Sequence, residues 1–317
     1  MVWARTRATT CSELRKVERM TTEKLGGVLV ALTTPFTEDG REIDVPNLHA
    51  QVDRMVEAGV HGLVPGGSTG EFAALTVRER MLLTEECVKA ADGRVPVIAG
   101  TGALSTAFAV ELAQHAAEVG ASALMVVPPF YDAPSLSQVK SLLSAVHEGS
   151  GLPIMYYNIP SASGVSLSAS EIASLGDVDG VEYLKDTSGD AVSLSELLLR
   201  HDDRITAFNG WDTLTFFGLA SGATGTVWGA VNLIPELAVE LWDTVAVRGD
   251  LVAGRELWSR IWPVCDFLES HNYAAAIKTG LEIVGHPAGP VRAPLELLDS
   301  QARDVLRGLL SDARADA

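Results

Sequence analysis

Eight short apolar runs alternate with longer amphipathic stretches along most of the chain. The runs are rich in Val, Ile, Leu and Ala, with little polar alternation, which is typical of strands buried on both faces of a parallel sheet. They cover Gly26–Phe36, His61–Gly67, Val95–Gly102, Ala123–Pro129, Pro153–Pro160, Val181–Asp186, Ile205–Gly210 and Thr224–Gly229. Strands that alternate regularly with helices predict an α/β fold, and eight units favour closure into a (β/α)8 TIM barrel.

An open, doubly wound sheet is the alternative arrangement for such alternation. That fold usually carries a GxGxxG turn directly after its first strand, where it binds a dinucleotide. Here the first run ends with Thr33-Thr34-Pro35-Phe36 and has no such turn. The sequence therefore favours the barrel.

Capping signals predict where several helices begin and end. Four pairs match the capping box, in which two side chains satisfy free amides at a helix start. The pairs are Thr76/Glu79, Ser135/Gln138, Ser168/Glu171 and Ser193/Glu196. Glycine is a common residue just past a helix end, and Gly59, Gly120 and Gly222 each precede an apolar run.

The chain becomes helical after the eighth run. Residues 234–248 complete the last βα unit, and 251–270, 273–284 and 300–315 predict additional C-terminal helices. A barrel needs about 250 residues, so we expect the barrel over 25–250 and a helical extension over 251–317. The polar leader, residues 1–24, lacks the apolar stretch of a secretory signal and is expected to be disordered.

Charge and cysteine content exclude several classes of function. A net charge of −17 disfavours binding to nucleic acid or to an anionic membrane, and no apolar run reaches the roughly 18 residues of a membrane helix. The three cysteines, Cys11, Cys87 and Cys265, are widely separated, which indicates a reducing cytoplasm. The seven histidines lack ligand spacing, so we expect no metal.

Lys185 is the most informative single residue. Of six lysines, only Lys185 ends a predicted buried strand, whereas Lys89, Lys140 and Lys278 lie in helix patterns that solvent can reach. The carboxyl ends of barrel strands form the active-site face, and partial burial there disfavours a charged ammonium. A neutral amine attacks a ketone to form an imine. The alternative is that Lys185 pairs with Asp186 or another carboxylate.

Two further segments lie at the same predicted face. Tyr157 ends the fifth run and could relay a proton, although core packing is the plainer role for a tyrosine. Gly66-Gly67-Ser68-Thr69-Gly70-Glu71 ends the second run, where glycines let backbone amides approach a ligand and hydroxyls can bind a carboxylate. An ordinary tight turn is the alternative for this segment.

Together these residues resemble the dihydrodipicolinate synthase and N-acetylneuraminate lyase superfamily of Schiff-base aldolases. The resemblance covers about residues 27–310. Its segments are Ala31–Phe36, Gly67–Glu71, Val97–Gly102, Pro128–Tyr131, Tyr157–Pro160 and Leu184–Gly189. It implies a tetramer built from two dimers, with no metal or organic cofactor.

The resemblance also implies catalytic roles. Lys185 is expected to form the Schiff base, Tyr157 to relay protons, and Thr69 to bridge to Tyr157. Tyr131 is expected to reach into the site of a neighbouring subunit.

The 2-oxo acid is expected to bind beside these residues. Ser68 and Thr69, on the loop that contains Gly67, would hold its carboxylate. Gly210 and Val227 would line the pyruvyl pocket. Lys278 is expected to be structural, and Glu71 to cap or pack.

The sequence departs from the superfamily pattern around the second substrate. Ala162 stands where the synthases carry an arginine that clamps the carboxylate of aspartate semialdehyde, and alanine makes no such contact. Asp212 could bind sugar hydroxyls or cap a helix, while Thr213 replaces the glutamate of sialic acid lyases. Trp228 would shrink the site if it faced inward, and would pack on a helix if it faced outward.

The leading hypothesis is a lyase that cleaves a 2-oxo-3-deoxy acid to pyruvate and an aldehyde, or forms it. A sugar-acid dehydratase and a hydratase-aldolase would use the same imine. A 4-hydroxy-tetrahydrodipicolinate synthase is a second hypothesis, disfavoured by Ala162. A barrel that binds 2-oxo acids without turnover is the hypothesis from another class.

Overall fold

The computed structural model describes residues 24–315, so the predicted leader lies outside the described residues except for Lys24. Its strands are β1 Gly27–Ala31, β2 Gly62–Val64, β3 Ile98–Gly100, β4 Ala123–Val126, β5 Ile154–Asn158, β6 Val181–Asp186, β7 Thr206–Asn209 and β8 Gly225–Trp228. Each strand lies within one of the predicted apolar runs. The run Val181–Asp186 coincides with β6, whereas the other runs are longer than their strands because their end residues leave the sheet and form loops, as at Pro65 after β2.

All eight strands are parallel and form one sheet in the order β2-β1-β8-β7-β6-β5-β4-β3. A parallel bridge between Leu63 and Val97 joins the two ends of this order. Helices connect successive strands, as they must between parallel neighbours. The predicted (β/α)8 barrel is therefore confirmed.

Twelve α-helices surround or extend the barrel in the described part of the chain. They are α1 Val45–Glu57, α2 Val77–Ala91, α3 Thr106–Glu118, α4 Leu136–Ser150, α5 Pro160–Ser163, α6 Ala169–Ala173, α7 Ala191–Arg200, α8 Thr215–Ala220, α9 Pro235–Trp242, α10 Leu251–Glu269, α11 Tyr273–Ile283 and α12 Ser300–Arg314. The last three confirm the predicted C-terminal helices. None of these helices is long and apolar enough to cross a membrane.

Three of the four predicted capping boxes are present, at the starts of α2, α4 and α6. The fourth, Ser193/Glu196, is wrong. Helix α7 begins three residues earlier than predicted, because the side chain of Asp190 accepts hydrogen bonds from the amides of Val192 and Ser193 and caps the helix there. Both predicted capping residues consequently lie inside the helix.

The barrel interior is a separate apolar layer from the one beneath the helices. Side chains that point inward include Leu29, Met125, Met155, Phe208 and Val227, all buried. Because side chains alternate along a strand, the neighbouring residues of the same strands face the helices instead. This alternation decides which side chains reach the carboxyl ends of the strands from within the barrel.

Candidate active site

Lys185 lies in the barrel interior near the carboxyl end of β6. It is two residues after Tyr183, which packs inside the barrel, and so shares its face of the strand. Its backbone is in register with Tyr157 on β5 and with Phe208 on β7. The side chain is only 5% exposed, as expected for a lysine enclosed by the barrel.

Tyr157 forms one wall around the lysine. The Nζ atom of Lys185 lies 4.2 Å from the centroid of the Tyr157 ring, a cation–π distance for a charged amine. Thr69 is also buried at this end of the barrel. Among residues 24–315 no hydrogen bond joins the side chains of Thr69 and Tyr157, and the expected bridge between them stays a prediction.

Asp186 does not pair with Lys185. Its carboxylate accepts hydrogen bonds from Asn158 Nδ2 at 2.7 Å and from Ser188 Oγ at 3.0 Å, on the opposite face of β6. Burial raises the pKa of the Asp186 carboxyl, against those hydrogen bonds. Among residues 24–315, Lys185 makes no salt bridge, so its amine is not held by a carboxylate.

Gly210, at the end of β7, makes room for the lysine. A Cβ atom added at Gly210 would lie 2.8 Å from Cε and 2.7 Å from Cγ of Lys185. Its carbonyl also accepts a hydrogen bond of 3.0 Å from Thr187 Oγ1. The lysine side chain passes directly over Gly210, and the role of this glycine in lining a pyruvyl pocket stays a prediction.

The loop after β2 closes another side of this region. Gly66 has a left-handed backbone, with φ of 72°, and a Cβ there would lie 3.3 Å from the carbonyl oxygen of Gly100. This packing places Gly67 and Ser68 beside Tyr157 around a small gap. Ser68 is exposed at this gap, whereas Thr69 is buried.

A larger cavity of about 340 Å³ opens above the strand ends. Loops after β2, β4 and β5 contribute to it, together with the start of α11. Its wall includes Phe72, Val127, Phe130, Ile159, Ala162 and Tyr273. Position 162, where the resemblance implies an arginine in the synthases, therefore lies on the wall of this cavity.

Asp212 lies below the cavity wall and not on it. The residue is buried, and its Oδ2 accepts hydrogen bonds from the Tyr273 hydroxyl and, at 3.3 Å, from the amide of Ala230. Burial raises the pKa of Asp212 to about 7; Glu269 raises it further, while the Tyr273 hydrogen bond and the charge of Lys185 lower it. The predicted capping role is wrong, because Trp211 is the residue before the short helix that Asp212 begins.

Thr213 binds a side chain of α10, and Trp228 adopts one of its two expected orientations. Thr213 donates its amide and hydroxyl to Glu269, at 3.2 and 2.7 Å. Trp228 faces outward, where its ring lies 6.2 Å from that of Trp258 on α10. The interpretation in which it shrinks the site is therefore wrong; Val227, its neighbour on β8, is the residue that faces the barrel interior.

The prediction that solvent reaches Lys278 is also wrong. Its side chain is 0% exposed, and Nζ lies 2.7 Å from Oε1 of Glu71. Nζ also donates to the carbonyl of Pro290 at 2.7 Å. Helix α11 is buried on every side from Ala274 to Leu281, and the helix pattern did not reveal that other elements enclose it.

Tyr131 is 86% exposed on the loop after β4. Its expected role in a neighbouring subunit involves a second chain and stays a prediction. No group of three His, Cys, Asp or Glu side chains in the described range is arranged to hold a metal ion.

Two residues of the cavity escaped the sequence analysis. Asn272 and Tyr273 begin α11 and line the wall, although they follow the last strand by more than forty residues. Asn272 accepts a hydrogen bond from the Ala275 amide, and an asparagine at a helix start was a usable signal for α11. No sequence signal indicated that this start folds back over the barrel.

Comparison with known proteins agrees with the fold and the motifs. The model of the dihydrodipicolinate synthetase family matches residues 24–313. A 4-hydroxy-tetrahydrodipicolinate synthase of Oceanobacillus iheyensis is 34% identical over 288 residues, which cover 90% of this chain and 97% of that protein. Its counterpart in Methanopyrus kandleri is 35% identical over 285 residues, covering 90% and 95%.

Solved structures show the same likeness. A dihydrodipicolinate synthase of Acinetobacter baumannii in complex with pyruvate has a TM-score of 0.87 and 30% identity, covering 92% of this chain and 99% of that one. YagE, a prophage protein of E. coli K12 also in complex with pyruvate, has a TM-score of 0.86 and 27% identity, covering 91% and 98%. The chain therefore belongs to the dihydrodipicolinate synthetase family of aldolase-type lyases.

Proposed function

We propose that this lyase uses Lys185 to form a Schiff base with pyruvate and joins it to an aldehyde, or cleaves the resulting 2-oxo-3-deoxy acid. One observation carries the proposal. The Lys185 amine is enclosed at the carboxyl end of β6, 4.2 Å from the Tyr157 ring centroid, and it makes no ion pair among the described residues. Such an amine is available as a nucleophile.

The chemistry follows from the imine. The amine adds to the keto carbon of pyruvate and water leaves, which produces a protonated imine. Loss of a methyl proton then gives an enamine, whose carbon attacks the aldehyde carbonyl; the new alkoxide takes a proton. Hydrolysis releases the 4-hydroxy-2-oxo acid and the free lysine. Tyr157, beside the amine, is the group that we assign to proton transfer.

Pyruvate as the first substrate has two lines of support. Two solved relatives hold pyruvate. In this chain, the Ser68 hydroxyl and the backbone around Gly67 lie beside Tyr157, where the carboxylate of a pyruvyl imine could be bound, with Thr69, Gly210 and Val227 enclosing it.

A second candidate is 4-hydroxy-tetrahydrodipicolinate synthesis, because relatives at 34% and 35% identity carry that name. It uses the same imine and differs in the aldehyde. Ala162 in the cavity wall lacks the guanidinium that would bind the carboxylate of aspartate semialdehyde. A dehydratase and a hydratase-aldolase share the imine as well, so the aldehyde screen described below also bears on them.

Exchange of the pyruvate methyl protons tests the proposal without any aldehyde. In deuterated buffer, an enamine exchanges these protons, and the methyl signal in the proton NMR spectrum decays. We expect decay with the parent and none with Lys185→Arg, since a guanidinium does not form the imine. Lys140→Arg, which changes a lysine on outer helix α4, is the matched control. Equal decay with Lys185→Arg would contradict the proposal.

The assembly and the compartment are proposals of the same kind. The exposure of Tyr131 supports its contact with a second subunit in a homotetramer, which light scattering measures directly. The buried free thiols of Cys87 and Cys265 support a reducing, cytoplasmic compartment.

A further inference from the structure

The cavity above the strand ends is walled mainly by apolar and aromatic side chains, with Ser68, Glu71 and Asn272 as its polar residues. Phe72 and Phe130 meet edge to face, with ring centroids 5.8 Å apart, and Val127, Ile159 and Ala162 extend the same surface. No lysine, arginine or histidine of residues 24–315 lines it. A charged group entering this space would lose water without gaining a cationic partner.

The one carboxylate on the wall is already neutralised. Glu71 Oε1 lies 2.7 Å from Lys278 Nζ, with both side chains buried, and Oε2 accepts a hydrogen bond of 2.9 Å from the amide of Arg292. These contacts give each carboxylate oxygen of Glu71 a partner within the protein. The carboxylate therefore adds no uncompensated charge to the cavity.

Tyr273 is held so that its ring completes the apolar wall. Its hydroxyl donates to the buried Asp212, which keeps this polar atom out of the cavity. The ring packs on Gly229, where an added Cβ would lie 2.5 Å from Cε1 and 2.4 Å from the hydroxyl oxygen. Both contacts hold the hydroxyl end of the side chain, so the aromatic surface is the part that a ligand meets.

We infer that the second substrate is an aldehyde with an uncharged, apolar substituent, and that Tyr273 is the residue that determines this specificity. The inference rests on the proposed function, since it assigns the aldehyde that the pyruvyl enamine attacks. Burial of an alkyl or aryl group against Phe72, Phe130 and Tyr273 is favourable. A carboxylated aldehyde would leave its anion unpaired in the same place.

The direct test compares aldehydes in the condensation with pyruvate. We expect kcat/KM for butanal and benzaldehyde to exceed that for aspartate semialdehyde by about tenfold or more, which corresponds to a modest difference in transition-state binding. Preference for aspartate semialdehyde overturns the inference. Methyl exchange of pyruvate is measured on the same preparation. Exchange together with a preference for aspartate semialdehyde overturns only this inference. Absence of exchange overturns the proposed function, and this inference with it.

Two variant pairs locate the specificity. Ala162→Arg places a cation at the wall and should shift preference towards aspartate semialdehyde, whereas the uncharged Ala162→Met should not. Tyr273→Phe keeps the ring and should keep the preference for butanal, whereas Tyr273→Ser should raise the KM of butanal more than it slows pyruvate exchange. Equal preference in Ala162→Arg and Ala162→Met, or an unchanged butanal KM in Tyr273→Ser, would overturn the assignment. Ala162 is exposed in the short helix α5, so this pair of variants remains informative even if Tyr273→Ser unfolds.

Discussion

A Cβ atom at Gly210, the residue after β7, would lie 2.8 Å from Cε of Lys185 and 2.4 Å from Oγ1 of Thr187, so the absence of a side chain at position 210 leaves room for the lysine to extend across the barrel. We predict that Gly210→Ala displaces the amine and lowers kcat/KM by about 100-fold, the cost of a misplacement on the order of 1 Å. Overpacking should also destabilise the fold by about 1–3 kcal/mol.

Gly308→Ala is the matched control for Gly210→Ala. A Cβ at Gly308, within α12, meets no neighbouring atom within 4 Å. This variant should keep full activity and gain up to about 1 kcal/mol of stability, because alanine favours a helix. Steady-state kinetics and urea unfolding measure both effects. Parental kcat/KM in Gly210→Ala would show that the lysine does not occupy the position described.

Tyr156 and Tyr157 are neighbours on β5 with opposite surroundings. Tyr157 faces the lysine, whereas the buried hydroxyl of Tyr156 finds no hydrogen-bond partner among the described residues. We predict that Tyr157→Phe lowers kcat by about 10²–10⁴-fold, the usual contribution of a positioned proton-transfer group. Tyr156→Phe should leave kcat unchanged and keep or raise the unfolding free energy. Similar kinetic losses in both variants would refute the assignment of the relay to Tyr157.

The buried Lys278–Glu71 pair supports the floor of the cavity. Burial lowers the pKa of Lys278 to about 8, although Glu71 opposes the shift. Lys278→Met leaves the Glu71 carboxylate buried and uncompensated, and we expect it to lower the free energy of unfolding by about 3–5 kcal/mol. Lys140→Met, on outer helix α4, should change it by less than about 0.5 kcal/mol. Matching urea midpoints for the two variants would contradict this account.

Asp212 predicts a specific dependence of stability on pH. Its pKa is about 7 in the folded protein, against 3.8 as the ordinary value, so the folded state binds more protons between about pH 4 and pH 7. Its contribution to stability is therefore greatest below about pH 4 and falls as pH rises to 7, by about 4 kcal/mol at about 1.4 kcal/mol per pKa unit. Glu269, Tyr273, Lys185 and Cys265 are the titratable groups around it.

Asp212→Asn isolates this contribution from that of the other carboxylates. The difference in unfolding free energy between parent and variant should change across pH 4–7, in the direction that favours the variant as pH rises. Asp202→Asn, at an exposed residue outside this cluster, should show a constant difference. A pH-independent difference for Asp212→Asn would mean that the carboxyl is ionised throughout the range.

The barrel could be predicted because its signals are local and repeated. Apolar runs such as Val181–Asp186 predict buried strands without information from the rest of the chain. A lysine near the end of such a run is unusual and therefore informative. The face of the strand on which each side chain lies was harder to predict. Trp228 and Val227 are adjacent apolar residues, and only the register of β8 against β1 decides which of them faces the barrel interior.

The outer part of the site depended on contacts that are distant in sequence. Tyr273 meets Asp212 across 61 residues, and Glu71 meets Lys278 across two hundred. Each residue alone resembles an ordinary helix or loop position. The role of these residues depends on how α11 folds back over the barrel, and the residue pattern within α11 does not predict that placement.

Borohydride reduction tests directly whether pyruvate forms an imine on Lys185. The protein is incubated with pyruvate and borohydride, digested, and its peptides are mapped by mass spectrometry. The account predicts one reduced pyruvyl adduct, on the peptide that contains Lys185, and none in Lys185→Arg. An unmodified Lys185 peptide in an enzyme that still turns over pyruvate would contradict it.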